Sequence, residues 1–291
     1  MHSSARLIFC AILMSTTGFA PMSPALAGAE SSLASHRALY ELRLAEGGGA
    51  KAPASANGRI AYDFSSACDV YAQTLRQAVD LQPQEGKRQL SESRISTYED
   101  TSGRDFRFAV AENGAPGEEV EGRAQRVGDN ALAIAVSRPK PEKVSAEGDV
   151  LFPTAHIAKV LAAARRGEKI MLARVFDGSG DGQKVFNVTA IIGAPRRGPD
   201  ADRGANAEQL HNVRRWPVSL SYFPEDERDG QPDYVLSYNL YENGVSTGLR
   251  LDYGDYVLVG ELTRIEFPPA ARCRNAPPIK GGQPTSRSHS D

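Results

Sequence analysis

The sequence predicts a mainly β protein: a single many-stranded antiparallel β domain, with one helix around residues 154–166 and one disulfide. Three observations carry this. Apolar and polar residues alternate along most of the chain, the pattern of strands with one buried face. One segment, Thr154–Arg166, instead places apolar residues at helical spacing. Of the three cysteines, Cys10 lies in a removable leader, which leaves Cys68 and Cys273 as one pair at opposite ends of the exported chain.

The leader comes first. Arg6 is the only charged residue in positions 1–27, an apolar run Leu7–Met14 follows, and Ala25-Leu26-Ala27 supplies the small-x-small pattern that a signal peptidase reads. Residues 1–27 are therefore expected to be a signal peptide cleaved after Ala27, and the protein to be exported. The run is too short for a bilayer span, which needs about 20 apolar residues, and no later stretch reaches that length, so no transmembrane segment is expected in the mature chain. Cys10 sits inside the apolar run rather than behind it, which argues against a lipoprotein acylation site. With 34 basic and 36 acidic residues the net charge is −2, and loss of Arg6 shifts it to −3. That is no footprint for nucleic acid.

The strands follow in order. Ala38, Tyr40, Leu42 and Leu44 share one face, and a small polar loop is expected from Gly47 to Asn57. Phe106, Phe108 and Val110 alternate with polar or small residues, as do Leu132, Ile134 and Val136, with Gly128-Asp129-Asn130 as the turn between. The helix is expected to be capped by Thr154, to end on Gly167 in the left-handed conformation, and to carry Arg165 and Arg166 against its C-terminal dipole. Ile157, Val160, Leu161 and Ala164 form its apolar stripe. Phe186, Val188, Ala190 and Ile192 form another strand face; Trp216, Val218, Leu220 and Tyr222 form the next. Between them, Pro195–Asn212 reads as the longest connector, too polar to be buried. Asn243-Gly244 predicts a type I′ hairpin turn, and Asn57-Gly58, Asn113-Gly114 and Asp181-Gly182 predict further reversals. Roughly twelve to fourteen strands result. Residues 28–274 are expected to form one domain, and 275–291, rich in Pro, Gly and Ser, a disordered tail.

Chemical motifs are sparse. His36, His156, His211 and His289 show no metal-binding spacing, and His156, in the helix's first turn, reads as a packing or capping residue. Asp177-Gly-Ser-Gly-Asp-Gly182 resembles half of a calcium loop, but its twelfth position is Val188 where a glutamate is required, so a hairpin turn is expected. Glu225–Asp229 reads as a solvated turn, and the tyrosines of the last third as strand packing. No catalytic, cofactor-binding or metal-binding residue is assigned. The only assigned site is the disulfide pair Cys68 and Cys273, structural rather than redox-active because neither has a Cys-x-x-Cys neighbour.

Leu151-Phe-Pro-Thr-Ala-His156, Val175-Phe-Asp-Gly-Ser179 and Lys184-Val-Phe186 occur in order, with His36-Arg-Ala-Leu-Tyr-Glu-Leu42 and Gly58-Arg-Ile-Ala-Tyr62 before them. Tyr241-Glu-Asn-Gly-Val245 and Cys273 come after. Together these segments resemble the cell envelope integrity protein EipB family of alphaproteobacteria, over about residues 33–273. The resemblance implies a periplasmic β-spiral wrapped into a barrel-like shape, a bond between Cys68 and Cys273, and a role in envelope integrity under stress without catalysis. The expected function is non-enzymatic binding of an envelope component or periplasmic protein. A LolA/LolB-like carrier of lipid or lipoprotein acyl chains is the alternative, and an envelope hydrolase a third reading.

Closing a loop of about 200 residues contributes about 5 kcal/mol in the chain-entropy model. Cys68→Ser or Cys273→Ser is expected to lower stability by a few kcal/mol; equal urea midpoints for variant and oxidised wild type would contradict the pairing.

Overall fold

The structure is a computed structural model that describes residues 33–45, 52–113, 119–199, 204–225 and 230–269. The expected leader with its expected cleavage after Ala27, Cys10, Cys273, His289 and the expected tail 275–291 lie outside the described residues.

The strands are β1 (His36–Leu44), β2 (Ser55–Ala67), β3 (Val70–Gln82), β4 (Gln89–Asp100), β5 (Asp105–Asn113), β6 (Val120–Val127), β7 (Ala131–Arg138), β8 (Glu142–Glu147) and β9 (Val150–Leu151). Helix α1 (Pro153–Arg166) follows, then β10 (Ile170–Val175), β11 (Phe186–Ile192), β12 (Arg215–Pro224), β13 (Tyr234–Tyr241), β14 (Ser246–Asp252) and β15 (Val257–Glu266). All belong to one sheet, ordered β8-β7-β6-β5-β4-β3-β2-β1-β15-β14-β13-β12-β11-β10-β9. Every pairing is antiparallel except the short β9–β10 contact.

Chain continuity makes this sheet curl. Its two edge strands, β8 and β9, are separated only by Gly148 and Asp149, a link that reaches roughly 10 Å. The sheet must therefore bring its last strand back to its first, a nearly closed barrel. Side chains stitch the seam. Arg174 of β10 donates to the Glu147 carbonyl and pairs with Glu225 at 2.6 Å. Arg126 of β6 donates to the Val150 carbonyl at 2.6 Å.

Alternation places the core as expected. Ala38, Tyr40 and Leu42; Phe106, Phe108 and Val110; Leu132, Ile134 and Val136; Phe186, Val188, Ala190 and Ile192; and Trp216, Val218, Leu220 and Tyr222 are all buried. An aromatic cluster holds β5 to the chain on both sides of α1 and β10: Phe106 stacks on Phe152 at 4.9 Å, and Phe108 meets Phe176 edge-on at 5.5 Å. Each such pair adds about 1 kcal/mol beyond area burial.

Several expectations are corrected. The helix begins one residue earlier, at Pro153, and its N-cap Phe152 makes no side-chain cap bond. Proline suits that first position because its missing N–H would have no helical partner. Thr154 is not the cap; the cap comes from β4, as described below. The far end is as expected, with Gly167 at φ 79° donating to Ala163 and Ala164 carbonyls. Asn57-Gly58 is no reversal but lies inside β2, where a Cβ on Gly58 would sit 2.4 Å from the Ala78 carbonyl oxygen. The Gly47–Asn57 segment accordingly ends in strand, with Ala52 and Ala56 buried.

Asn243-Gly244 does not form a type I′ turn. Only Gly244 has positive φ, its N–H donates to Tyr241 O, and Tyr241 N–H donates to Val245 O. That is a three-residue loop with glycine in the left-handed position. Part of Pro195–Asn212 is docked rather than loose: Ala205 bonds to the backbone of β15, and Leu210, in a 3₁₀ turn (Ala207–Leu210), is 2% exposed.

The Asp177–Gly182 loop seats against β5. Asp177 and Asp181 spend a carboxylate oxygen each on the N–H groups of Ser179 and Gln183, as tight turns do. A Cβ on Gly178, whose φ is +77°, would lie 2.4 Å from Phe108 Cγ. Gly178→Ala combines backbone strain with overpacking and is expected to cost about 2–4 kcal/mol in urea denaturation. Gly86→Ala, at φ +105° with nothing within 4 Å, should show only the backbone part, about 1–2 kcal/mol.

Candidate functional site

Inside the curled sheet, the first turn of α1 faces a cavity of about 250 Å³. Strands β1–β3 supply one wall and β13–β14 the other. Leu33, Ile60, Phe64, Leu75, Ile157, Leu236, Leu249 and Leu251 make the lining mainly apolar; its polar members are His36, Tyr40, Tyr62, Gln73, Gln77, Thr154, Tyr238 and Ser246. None of these carries a formal charge at neutral pH. Period two is what puts them there, since Ile60, Tyr62 and Phe64 on β2, and Gln73, Leu75 and Gln77 on β3, occupy alternate positions.

The polar groups are mostly committed to one another. Tyr62 donates to Gln73 Oε1 at 3.0 Å, and Gln73 Nε2 donates to Thr154 Oγ1 at 2.9 Å, linking β2, β3 and the helix. Tyr40 donates to the Ser246 carbonyl at 2.7 Å. His36 Nδ1 lies 2.8 Å from the Ala34 carbonyl. A carbonyl only accepts, so that nitrogen carries the proton. The His36 ring packs against Tyr62 and Phe64 at 5.5 and 5.7 Å. Burial depresses the His36 pKa and pushes the Tyr62 and Tyr238 hydroxyls up, with Asp63 and Tyr62 respectively adding to the effect. The cavity thus offers hydrogen-bonding groups and apolar surface to an uncharged ligand.

The helix that roofs the cavity is held at both ends by carboxylates. Glu99 of β4, 1% exposed, accepts the backbone N–H groups of Thr154 and Ala155, both at 2.8 Å. It does for the helix what an N-cap side chain normally does. At the other end Glu242, in the β13–β14 turn, accepts from Arg165 at 3.2 Å and from Arg214 at 2.6 Å. Arg214 lies 4.8 Å over the Trp216 ring.

The residues singled out from sequence are dispersed. Cys68 lies in the β2–β3 turn at φ 55° and carries no free thiol. Its expected partner Cys273 is outside the described residues. His156 is 1% exposed and its Nε2 has no hydrogen-bond partner among the described residues, a packing residue held neutral by burial. Tyr222, Tyr238 and Tyr241 are buried, and Tyr222 stacks on Tyr234 at 4.4 Å. Only Tyr238 of these reaches the cavity. Sequence reading missed Glu99, Gln73 and Tyr62. One signal for Glu99 existed: it shares a strand face with Ile95 and Thr97, where a solvated glutamate does not belong.

Comparison with known proteins gives a consistent picture. A family model described as EipB-like matches residues 27–269. The cell envelope integrity protein EipB of Brucella abortus (strain 2308) is 31% identical over 240 residues, covering 81% of this chain and 84% of the relative. A crystal structure of a β-barrel-like protein of the domain of unknown function DUF1849, from Brucella abortus, superposes with a TM-score of 0.74 at 28% identity. It covers 81% of this chain and 99% of that one.

Two buried groups near the helix N-terminus give opposite pH dependences. Burial raises Glu99 from 4.5 to about 6, against the opposing pull of the Thr154 and Ala155 N–H groups. The folded chain then holds the extra proton between those values, so this contribution falls as pH rises through the window, by about 2 kcal/mol. Burial lowers His156 from 6.5 to about 4. There the unfolded chain holds the extra proton, and stability falls as pH drops from 6.5 towards 4, by about 3 kcal/mol. In urea titrations wild type should gain on Glu99→Gln by about 2 kcal/mol between pH 6.5 and 4.5, and lose about 3 kcal/mol to His156→Phe between pH 6.5 and 4. Differences that stay constant with pH would refute both assignments.

Proposed function

This chain belongs to the EipB-like family, and we propose that it supports cell-envelope integrity from the periplasm as a non-catalytic binding protein. The proposal includes export with cleavage after Ala27 and a Cys68–Cys273 bond that ties the β2–β3 turn to the end of the fold. The observation that carries it is the uncharged, apolar cavity under α1, walled by strands from both ends of the described chain. Concave apolar sites with a few placed polar groups are where small ligands bind. The name of the Brucella abortus relative supports the envelope role.

The same cavity favours a second reading, a carrier of acyl chains. Its volume is below the roughly 300–1,000 Å³ of drug-sized pockets, so it would take a segment of chain, with the remainder emerging past Leu33 and the first turn of α1.

Leu75→Trp fills the cavity without touching the Glu99 cap. In native mass spectrometry of protein released gently from the periplasm, wild type should carry an acyl-sized adduct that the variant lacks if the carrier reading holds. In a strain lacking the gene, the variant should fail to restore detergent resistance although folded. Full restoration by the variant would remove the cavity as the functional site.

A further inference from the structure

The outer face of β1–β5 is laced by ion pairs. Arg37 pairs with Asp63 at 2.7 Å, Arg59 with Glu41 at 3.6 Å, Arg43 with Glu261 at 3.0 Å, and Arg88 with Asp80. In the middle of this pattern two arginines stand directly opposite each other, Arg76 on β3 and Arg94 on β4. Both are exposed. Among the described residues neither side chain makes an ion pair or a hydrogen bond, in contrast to their neighbours. Like charges directly opposite on paired strands destabilise the pairing, and their Cβ atoms are only about 5 Å apart.

The two arginines border an open depression of about 800 Å³. Ala61 and Ala111, their register neighbours on β2 and β5, give it a flat apolar floor. Nearby carboxylates do not answer the two charges. Glu41 is taken by Arg59 at 3.6 Å, Glu119 by Arg138 at 2.8 Å, and Glu92 has a partner of its own. Glu112 also lines the depression, but it follows Ala111 on β5, makes no ion pair with either arginine and acts on Tyr253.

We propose that Arg76 and Arg94 form a phosphate-binding site on the outside of the barrel, separate from the inner cavity. A carboxylate has two oxygens and satisfies one guanidinium fork; a phosphate has enough to take both forks at once. The chemistry fits free phosphate and the phosphate of an anionic phospholipid head group alike.

The test uses the mature protein and the variants Arg76→Gln, Arg94→Gln and the double variant. Without ligand, each variant should melt at or above wild type, because repulsion is relieved. Wild type should gain melting temperature in inorganic phosphate over chloride at equal ionic strength, or sediment with phosphatidylglycerol vesicles in preference to phosphatidylcholine. The double variant should lose either response about tenfold or more. A response to phosphate alone identifies free phosphate as the ligand, and a response to vesicles alone identifies the lipid. No response in either arm, or a double variant that responds like wild type, overturns the proposal. So does a double variant that melts below wild type without ligand, since the two arginines would then be structural.

Discussion

Glu99 is the point on which this architecture turns. The apolar stripe of α1 packs Val160, Leu161 and Ala164 into the core made by β10–β13, but apolar burial is non-directional and does not by itself satisfy the backbone at the helix start. The helix starts with N–H groups that need acceptors. Residues next to it in sequence offer none: Phe152 is apolar and Pro153 has no N–H. One carboxylate from a strand more than fifty residues earlier accepts two of these groups at 2.8 Å. Sheet and helix are thereby coupled through a bond that exists only when both are in place. The second anchor, Glu242 with its two arginines, fixes the direction of the helix. A carboxylate kept from water at this position raises its own pKa, so position is secured at some cost in stability near neutral pH.

The wall has two distinct surfaces one residue apart. Ile60 and Leu75 face the cavity while Ala61 and Arg76 face outwards, and the same holds around the sheet. The inside is apolar with hydroxyl and amide groups at fixed places. The outside between β1 and β5 is charged, with partners mostly in register across strands. This division accounts for the strong alternation along the chain, and for the way three separate core clusters arise from one sheet.

Most of the fold was legible because it rests on period two, a local property. Phe106-Arg107-Phe108 and Leu132-Ala133-Ile134 announce their faces whatever they pair with. The helix was legible from Val160, Leu161, Ala164 and the terminal Gly167. Features set by distant partners were not. Thr154 looked like a cap because nothing nearby indicates that Glu99 arrives there first. Asn57-Gly58 looked like a turn because only the approach of the Ala78 carbonyl explains a glycine within a strand. Asn243 kept negative φ because the loop has three residues, Leu240 being paired with Ser246 across it. The cavity was illegible for the same reason: Tyr62, Thr154 and Tyr238 become neighbours only once the sheet has curled. Family resemblance reached the architecture, yet none of its motif residues pointed to the Glu99 latch.

Exposed strand edges are the usual starting points for one chain to add to another and grow into fibrils. Here the two terminal strands, β8 and β9, are not hydrogen-bonded to each other, but arginines laid across the join and the two-residue link Gly148-Asp149 hold them close. A newly folded molecule thereby holds its two sheet ends next to each other and keeps one of them only two residues long. Part of the defence against edge-to-edge growth is thus written into the topology itself.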